Sequence, residues 1–245
     1  MSSAPKKAII LAAGRGKRLG DLTLNRPKPM VEIQGKPALE HILIGLCEVG
    51  VTEFLLVVGY LPEVIRDYFG TGNAWGVRIA YTLQETPTGT GSALALGRNF
   101  AGEEPFLMSF GDILTDYAHY RALVAEFTAA PCAAVIGINP VEDPTAGSAV
   151  YREGNRIVRI VEKPKPGAST SNWNSAGISA YDPSIWPAVA ALQPSPRGEY
   201  ELTDATSALI MSGQEVRGCE FTGFWSDVGT PEALAEAERD WRANR

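Results

Sequence analysis

Five residues, Gly14-Arg15-Gly16-Lys17-Arg18, follow an apolar run and set two glycines among three cations. Glycine lets a backbone approach a ligand closely, and successive N–H groups in such a turn point at an anion. Up to Lys36 the basic residues are Lys6, Lys7, Arg15, Lys17, Arg18, Arg26, Lys28 and Lys36, against only Asp21 and Glu32. In a chain of formal net charge −6, this segregation marks a local anion site. The same net charge argues against a surface given over to nucleic acid. Taken alone, the loop is also compatible with a plain strand-to-loop turn bearing solvated cations.

Two better-known phosphate loops fail on spacing. A Walker A loop needs four residues between its first glycine and Gly-Lys-Ser/Thr, whereas only Arg15 separates Gly14 from Gly16-Lys17, and Arg18 follows. The dinucleotide pattern G-x-G-x-x-G requires glycine at Leu19, and Gly20 comes one place late. Further along, Arg26-Pro27-Lys28-Pro29 presents a lysine between two prolines that restrict its backbone. Gln84 precedes Gly89-Thr90-Gly91, where an amide can pair with the edge of a base while the glycines give the ring close access. Asp112 and Asp227 each follow an apolar run, and two strand-end carboxylates can share Mg²⁺, a hard ion that prefers oxygen. Singly, each aspartate is more often a helix or turn cap.

Other chemistries lose ground on rare residues. Three scattered cysteines, Cys47, Cys132 and Cys219, and two histidines, His41 and His119, make neither a zinc pattern nor a disulfide framework. A reducing, cytoplasmic setting is the expectation. Neither histidine lies in a nucleophile motif, and both are read as structural.

These residues need a scaffold, and the rest of the chain predicts one. Its 245 residues are 45% hydrophobic and 20% charged, ordinary globular values, and no run reaches the ~20 apolar residues of a membrane helix. Apolar runs alternate with amphipathic ones as in βαβ units. Strands are predicted over 8–12, 54–58, 77–83, 106–110 and 133–138, with helices over 37–49, 62–69, 92–100 and 117–128. After residue 139 a hairpin, 149–152 with 156–161, is expected around Glu153-Gly154-Asn155, then a strand over 175–181 and helices near 184–192, 203–211 and 231–243. The fold class is therefore α/β, a doubly wound, mostly parallel but mixed, Rossmann-like sheet. One domain over 1–245 is expected, with a nucleotide-binding lobe at about 1–138 and a second lobe at about 139–245.

Taken in order, the motifs are more specific than any one of them. Residues 11–19 (Leu-Ala-Ala-Gly-Arg-Gly-Lys-Arg-Leu), Pro27-Lys28-Pro29, Gln84 with Gly89-Thr90-Gly91, and Gly111-Asp112 come first. Gly147, Glu162-Lys163-Pro164, residues 174–177 (Asn-Ser-Ala-Gly), Gly198-Glu199 with Leu202-Thr203-Asp204, and residues 225–230 (Trp-Ser-Asp-Val-Gly-Thr) follow. In this series the chain resembles the sugar-1-phosphate nucleotidyltransferases, or nucleotide-sugar pyrophosphorylases, over essentially its full length.

The resemblance implies that Leu11, Ala13, Gly14, Arg15 and Gly16 hold a nucleoside triphosphate together with Arg18, that Lys28 contacts its phosphates, and that Gln84, Gly89 and Thr90 serve the base. Asp112 and Asp227 would bind Mg²⁺. Gly147, Glu162 and Asn174 would contact sugar hydroxyls, and Lys163 the sugar phosphate. The implied catalytic set is Arg18, Lys28, Asp112 and Asp227, and the implied reaction joins NTP and sugar 1-phosphate into NDP-sugar and pyrophosphate. UTP or dTTP with glucose 1-phosphate is the nearest pattern. Two alternatives stay open: a cytidylyltransferase for a non-sugar phosphate such as phosphocholine, and a non-catalytic regulatory relative that binds nucleotide sugars. One departure is Lys17, where many members carry threonine or serine. Some relatives continue into a left-handed β-helix, and the expectation here is the catalytic domain alone.

Overall fold

In the computed structural model, which describes residues 3–242, strand β1 (Lys7–Ala12) is the buried strand that its unbroken apolar run predicts. Ala8, Ile10 and Ala12 face one core and Ile9 the other, all fully buried. A 3₁₀ stretch, Lys17–Thr23, follows the glycine loop. The short strands β2 (Glu32–Ile33) and β3 (Lys36–Pro37) then pair with each other and lead into α1 (Ala38–Glu48). Pro37 was expected to open that helix but ends the ladder instead, in extended conformation. Next come β4 (Glu53–Val58), α2 (Pro62–Phe69) and β5 (Arg78–Leu83).

The helix predicted over 92–100 is two short ones, α3 (Thr90–Ala95) and α4 (Arg98–Ala101). The break falls at Gly97, whose missing side chain makes room for Ile9. After them run β6 (Phe106–Phe110), β7 (Ile113–Thr115), α5 (Tyr117–Ala129) and β8 (Ala134–Pro140). The expected hairpin is β9 (Ser148–Glu153) with β10 (Arg156–Glu162), turning at Gly154 with φ of 61°. Then follow β11 (Trp173–Tyr181), α6 (Ile185–Ala190), α7 (Leu202–Met211), β12 (Val216–Glu220), β13 (Trp225–Asp227) and α8 (Pro231–Asp240). The last helix was expected to reach Ala243, which lies outside the described residues.

Nine strands form one mixed sheet in the order β5-β4-β1-β6-β11-β8-β12-β10-β9. The run from β5 to β6 is parallel, β11 lies antiparallel between β6 and β8, and β12 pairs parallel with β8. One core packs α1 and α5 onto a sheet face through Leu39, Ile42, Tyr120 and Phe127, and the other packs α3, α6 and α7 through Leu94, Trp186 and Leu209. Each such side chain contributes about 1.5–3 kcal/mol on burial.

Progress along the chain carries the sheet outward from β1 to β4 and β5, then back past β1 to β6. Neighbouring crossovers therefore leave in opposite directions between β1 and β6, and a crevice opens at the carboxyl ends of these two strands. Gly111, after β6, donates its N–H to Leu11 O of β1 at 2.9 Å, and a side chain there would strike Ala12.

Candidate active site

The glycine loop leaves β1 at this crevice. Gly16 takes φ of 76°, and a Cβ on it would lie 2.7 Å from Cβ of Lys28, so glycine is required both for the turn and for the lysine stem beside it. Thr23 ties the loop back by donating its hydroxyl to Gly16 O (3.2 Å) and Gly20 O (3.1 Å). Arg15 lies over the ring of Tyr60, 5.0 Å from its centroid, and Tyr60 donates its hydroxyl to Leu24 O at 3.1 Å. Loop entry and exit thus share one aromatic support.

Asp112 and Asp227, 115 positions apart, meet because β7 and β13 pair antiparallel with Asp227 opposite Ile113. Val228 N–H, donated to Asp112 O at 3.1 Å, closes that ladder. The ammonium of Lys28 lies between the two carboxylates, 2.5 Å from Asp112 Oδ2 and 2.6 Å from Asp227 Oδ1. Arg18, largely exposed, comes to 3.9 Å from Asp227 Oδ2. Burial raises the Asp112 carboxyl above the usual aspartate range and the charge of Asp227 adds to this, while Lys28 offsets part of it. Burial works to lower the Lys28 ammonium, but the two carboxylates outweigh it and hold the group above the ordinary lysine value. Gly229 completes the centre: a Cβ there would lie within 2.9 Å of Lys28 Nζ, Asp227 Oδ1 and Arg18 Nη2.

Two cavities meet at this centre. The smaller, about 360 Å³, is lined by Leu11, Ala13, Gly14, Gln84 and Gly89, among others. Gln84 donates its amide to Gly89 O (3.1 Å) and Ser92 Oγ (3.1 Å), which commits the NH₂ and leaves Oε1 as the group available to a ligand. Gly89 has φ of 121° and packs so closely on the Tyr200 backbone that no side chain fits. Thr90, expected on the nucleotide, accepts Leu202 N–H at 3.0 Å while lining both cavities.

The larger cavity, about 560 Å³, gathers Gly147, Glu162, Lys163 and Asn174, with Arg18 and Asp227 at its inner end. Glu162 accepts hydroxyls from Ser148 (2.6 Å) and Thr203 (2.7 Å) through one oxygen. Asn174 accepts Ser148 N–H at 2.9 Å and donates to Asn139 Oδ1 and Ser175 O, so much of its amide is engaged in holding the Gly147–Ser148 turn. A Cβ on Gly147 would collide with Asn174 Oδ1. Lys163 takes φ of 38°, unusual for a side-chain-bearing residue, and donates its N–H to Gly147 O at 2.8 Å.

Arg197 was missed in the sequence. It reaches Glu162, Glu199 and Glu201 at 2.8–3.5 Å on the rim, and only its place beside the Gly198-Glu199 motif hinted at it. Ser148 was also missed, because it acts through Glu162 and Asn174.

The sheet order and the crevice at its turning point define a Rossmann-like α/β protein. This chain belongs to the nucleotidyl transferase family, whose model matches residues 7–244. It is 39% identical over 225 residues to the bifunctional protein GlmU of Methanococcus maripaludis strain C5, covering 91% of this chain and 51% of that one. The chain thus spans about half the length of that relative. A solved Bacillus anthracis structure assigned as a glucose-1-phosphate thymidylyltransferase, in complex with sucrose, is 30% identical, with a TM-score of 0.86 and coverage of 95% and 94%. A UDP-glucose pyrophosphorylase complexed with UDP-glucose shares the fold at a TM-score of 0.87 and 24% identity, covering 96% of this chain and 97% of that one.

Proposed function

We propose that this chain transfers a nucleotidyl group from a nucleoside triphosphate, UTP or dTTP, to a sugar 1-phosphate, releasing pyrophosphate. The observation that carries the reading is the Asp112–Lys28–Asp227 centre where two cavities meet, one bordered by Gln84 and the glycine loop and the other by Glu162, Lys163 and Asn174. A two-substrate phosphoryl chemistry needs two such compartments with compensating charge between them. The one-domain reading, with lobes at about 1–138 and 139–245, is supported by a sheet that draws strands from both halves.

The attacking group is an oxygen of the sugar phosphate, whose second pKa is near ~6, so it is mostly dianionic at neutral pH without a histidine base. It bonds to the α-phosphorus as the α–β bridge breaks and pyrophosphate leaves with the electron pair. Lys163 would hold the attacking phosphate, Lys28 would draw the two anions together, and Arg18 would take charge from the departing pyrophosphate as a planar fork. Gln84 Oε1, an acceptor, suits the N3–H of uracil or thymine. The second compartment with Glu162, Lys163 and Asn174 weighs against the cytidylyl alternative.

Mg²⁺ suits this donor set. Two carboxylates that reach one ammonium are near enough to share an ion, and among the described residues no third His, Cys, Asp or Glu joins them. The remaining ligands would be phosphate oxygens and water, the usual company of this ion. When bound it would neutralise charge at the transferring phosphate.

The test is a matrix of ATP, GTP, CTP, UTP and dTTP against glucose 1-phosphate and other sugar 1-phosphates, with phosphocholine as control, read by pyrophosphate release with Mg²⁺. Release dependent on a sugar 1-phosphate and greatest with UTP or dTTP is expected. Turnover with phosphocholine alone, or none with any pair, would overturn the reading.

A further inference from the structure

His119 looks structural in the sequence, yet it sits at the far end of the ladder that carries the carboxylate pair. That ladder is three residue pairs long, Trp225 with Thr115, Ser226 with Leu114 and Asp227 with Ile113. Two strands this short do not hold a register unaided, and a one-residue slip turns every side chain to the opposite face. Asp227 would then give way to its neighbours at the catalytic edge. Something outside the ladder must fix it.

Trp225 donates its indole N–H to Ala176 O of β11 at 2.9 Å, and a second set of fixing contacts converges on α5. Gly223 N–H is donated to His119 Nε2 at 3.1 Å. Because that ring nitrogen accepts, the proton is on Nδ1, which donates to Thr115 Oγ1 at 2.6 Å. The Thr115 hydroxyl in turn donates a hydrogen bond to Phe224 O at 3.0 Å. Phe224 N–H is donated to Asp116 Oδ2 at 2.9 Å, and Asp116 N–H to Phe224 O at 3.0 Å. The His119 ring is also stacked on Phe221, with centroids 4.3 Å apart and planes 1° from parallel. Gly223 has to be glycine, because a Cβ there would run into Asp116 Oδ2. The chain leaving the central strand β12 is thus gripped at Phe221, Gly223 and Phe224 immediately before it enters β13. Burial lowers the His119 pKa, with Asp116 opposing, in keeping with a neutral ring.

We infer that His119 is a positioning residue. Through Thr115, Gly223 and Phe224 it sets the register of β7 against β13, and with it the spacing of Asp112 and Asp227. Its catalytic consequence rests on the function proposed above, whereas its effect on the ladder does not.

The experiment compares full-length wild type with His119→Leu, His119→Gln and Thr115→Val. Leucine keeps an apolar filler and loses both ring nitrogens, glutamine can return an acceptor to the Nε2 position, and valine cuts the link from ring to Phe224 O while leaving the ring intact. Hydrogen exchange of ligand-free protein should quicken about tenfold or more in segments 113–116 and 223–228 for His119→Leu while β1 and β4 stay protected, with glutamine restoring most of the protection. Under the pyrophosphate assay His119→Leu should lose about tenfold or more in kcat with KM for sugar 1-phosphate within about twofold, and Thr115→Val should move the same way. In wild type, ¹⁵N NMR of the imidazole should report Nε2 unprotonated and Nδ1 protonated.

Wild-type exchange in the ladder of His119→Leu, an equal rise across the whole sheet with no rescue by glutamine, or the opposite tautomer would overturn the assignment. If His119→Leu fails to fold, Thr115→Val and the tautomer decide it. Localised exchange with no nucleotidyl transfer by any variant or wild type would overturn the proposed function and leave the positioning role standing.

Discussion

Replacing Lys28 by Met tests the centre of the site most directly. The variant keeps an apolar stem against Gly16 but leaves Asp112 and Asp227 facing each other without the ammonium. Breaking a buried ion pair from one side costs about 3–5 kcal/mol. Here the Lys28 side chain is only 9% exposed, but those of Asp112 and Asp227 are 24% and 43% exposed. Water therefore screens part of the loss, and about 2 kcal/mol is the expected deficit. For a chain of this size that lowers Tm by about 4–8 °C.

The pH dependence has a definite sign. Lys28 has a raised pKa in the folded state, so its contribution is complete below the ordinary lysine value and lost only as pH climbs past it. Asp112 is also raised, which means that its ionisation costs the fold stability and its protonation relieves the cost. Without the ammonium that cost is greater. The Tm deficit of Lys28→Met should be full at pH 8 and should shrink toward about pH 4–5, where carboxylates begin to protonate. Under the proposed function, losing a charged contact worth about 1.5–3 kcal/mol should lower kcat about 10–100-fold. Calorimetric melts at pH 8 and pH 5, with pyrophosphate release at saturating substrates, provide the measurements. A deficit equal at both pH values, or no deficit, would refute the account of a cation holding two carboxylates together.

Gln84→Leu should lower kcat/KM with UTP or dTTP about five- to tenfold, the worth of one neutral hydrogen bond, with triphosphate binding little changed in competition assays. Gly229→Ala should cost kcat about tenfold or more and lower Tm by less than Lys28→Met does, since the new Cβ would push on the ends of Lys28, Asp227 and Arg18 without removing the ammonium. Asn174→Ala should raise KM for sugar 1-phosphate about tenfold, because Ser148 N–H loses its acceptor, while KM for the nucleotide holds steady. An Asn174 variant in which both KM values rise together would deny that division of labour.

Where local pattern and tertiary role agree, the residues announced the structure. The unbroken apolar run over 8–12, the amphipathic stretch of α2 and the Gly154 turn are local signals, and each element formed within a residue or two of expectation. Strand β12 was missed because Arg217 and Gly218 break the apolar pattern of a central strand. Arg217 is accommodated there because Glu126 of α5 (2.9 Å) and Ala130 O just past that helix (2.6 Å) accept from its two terminal nitrogens, 87 or more positions away. The site divides in the same manner. The apolar runs before Asp112 and Asp227 indicated that they belong together, but the ammonium between them comes from 84 and 199 positions away and no spacing rule reveals it. Asn174 and Thr90 were expected to face ligands, yet much of their hydrogen bonding serves Ser148 and Leu202, since buried polar groups take the nearest partner the fold provides.

Thr90, Phe110, Ile113 and Asp227 line both cavities, and beside Thr90 a backbone seam joins the two sides. Gly91 N–H is donated to Tyr200 O and Tyr200 N–H to Thr88 O, both at 2.8 Å, and Thr90 takes Leu202 N–H, so the turn beside Gln84 is stitched to the segment that starts α7 and carries Thr203. The side chains of Phe110 and Ile113 at this border can be replaced singly; the backbone seam shifts as a unit. Changes selected for a new ligand in the larger compartment will therefore disturb the smaller one unless Thr88–Gly91 changes with them. Directed evolution of such a chain should find gains in paired substitutions across this seam, and chimeras cut between residues 91 and 200 should inherit neither parent's preferences cleanly.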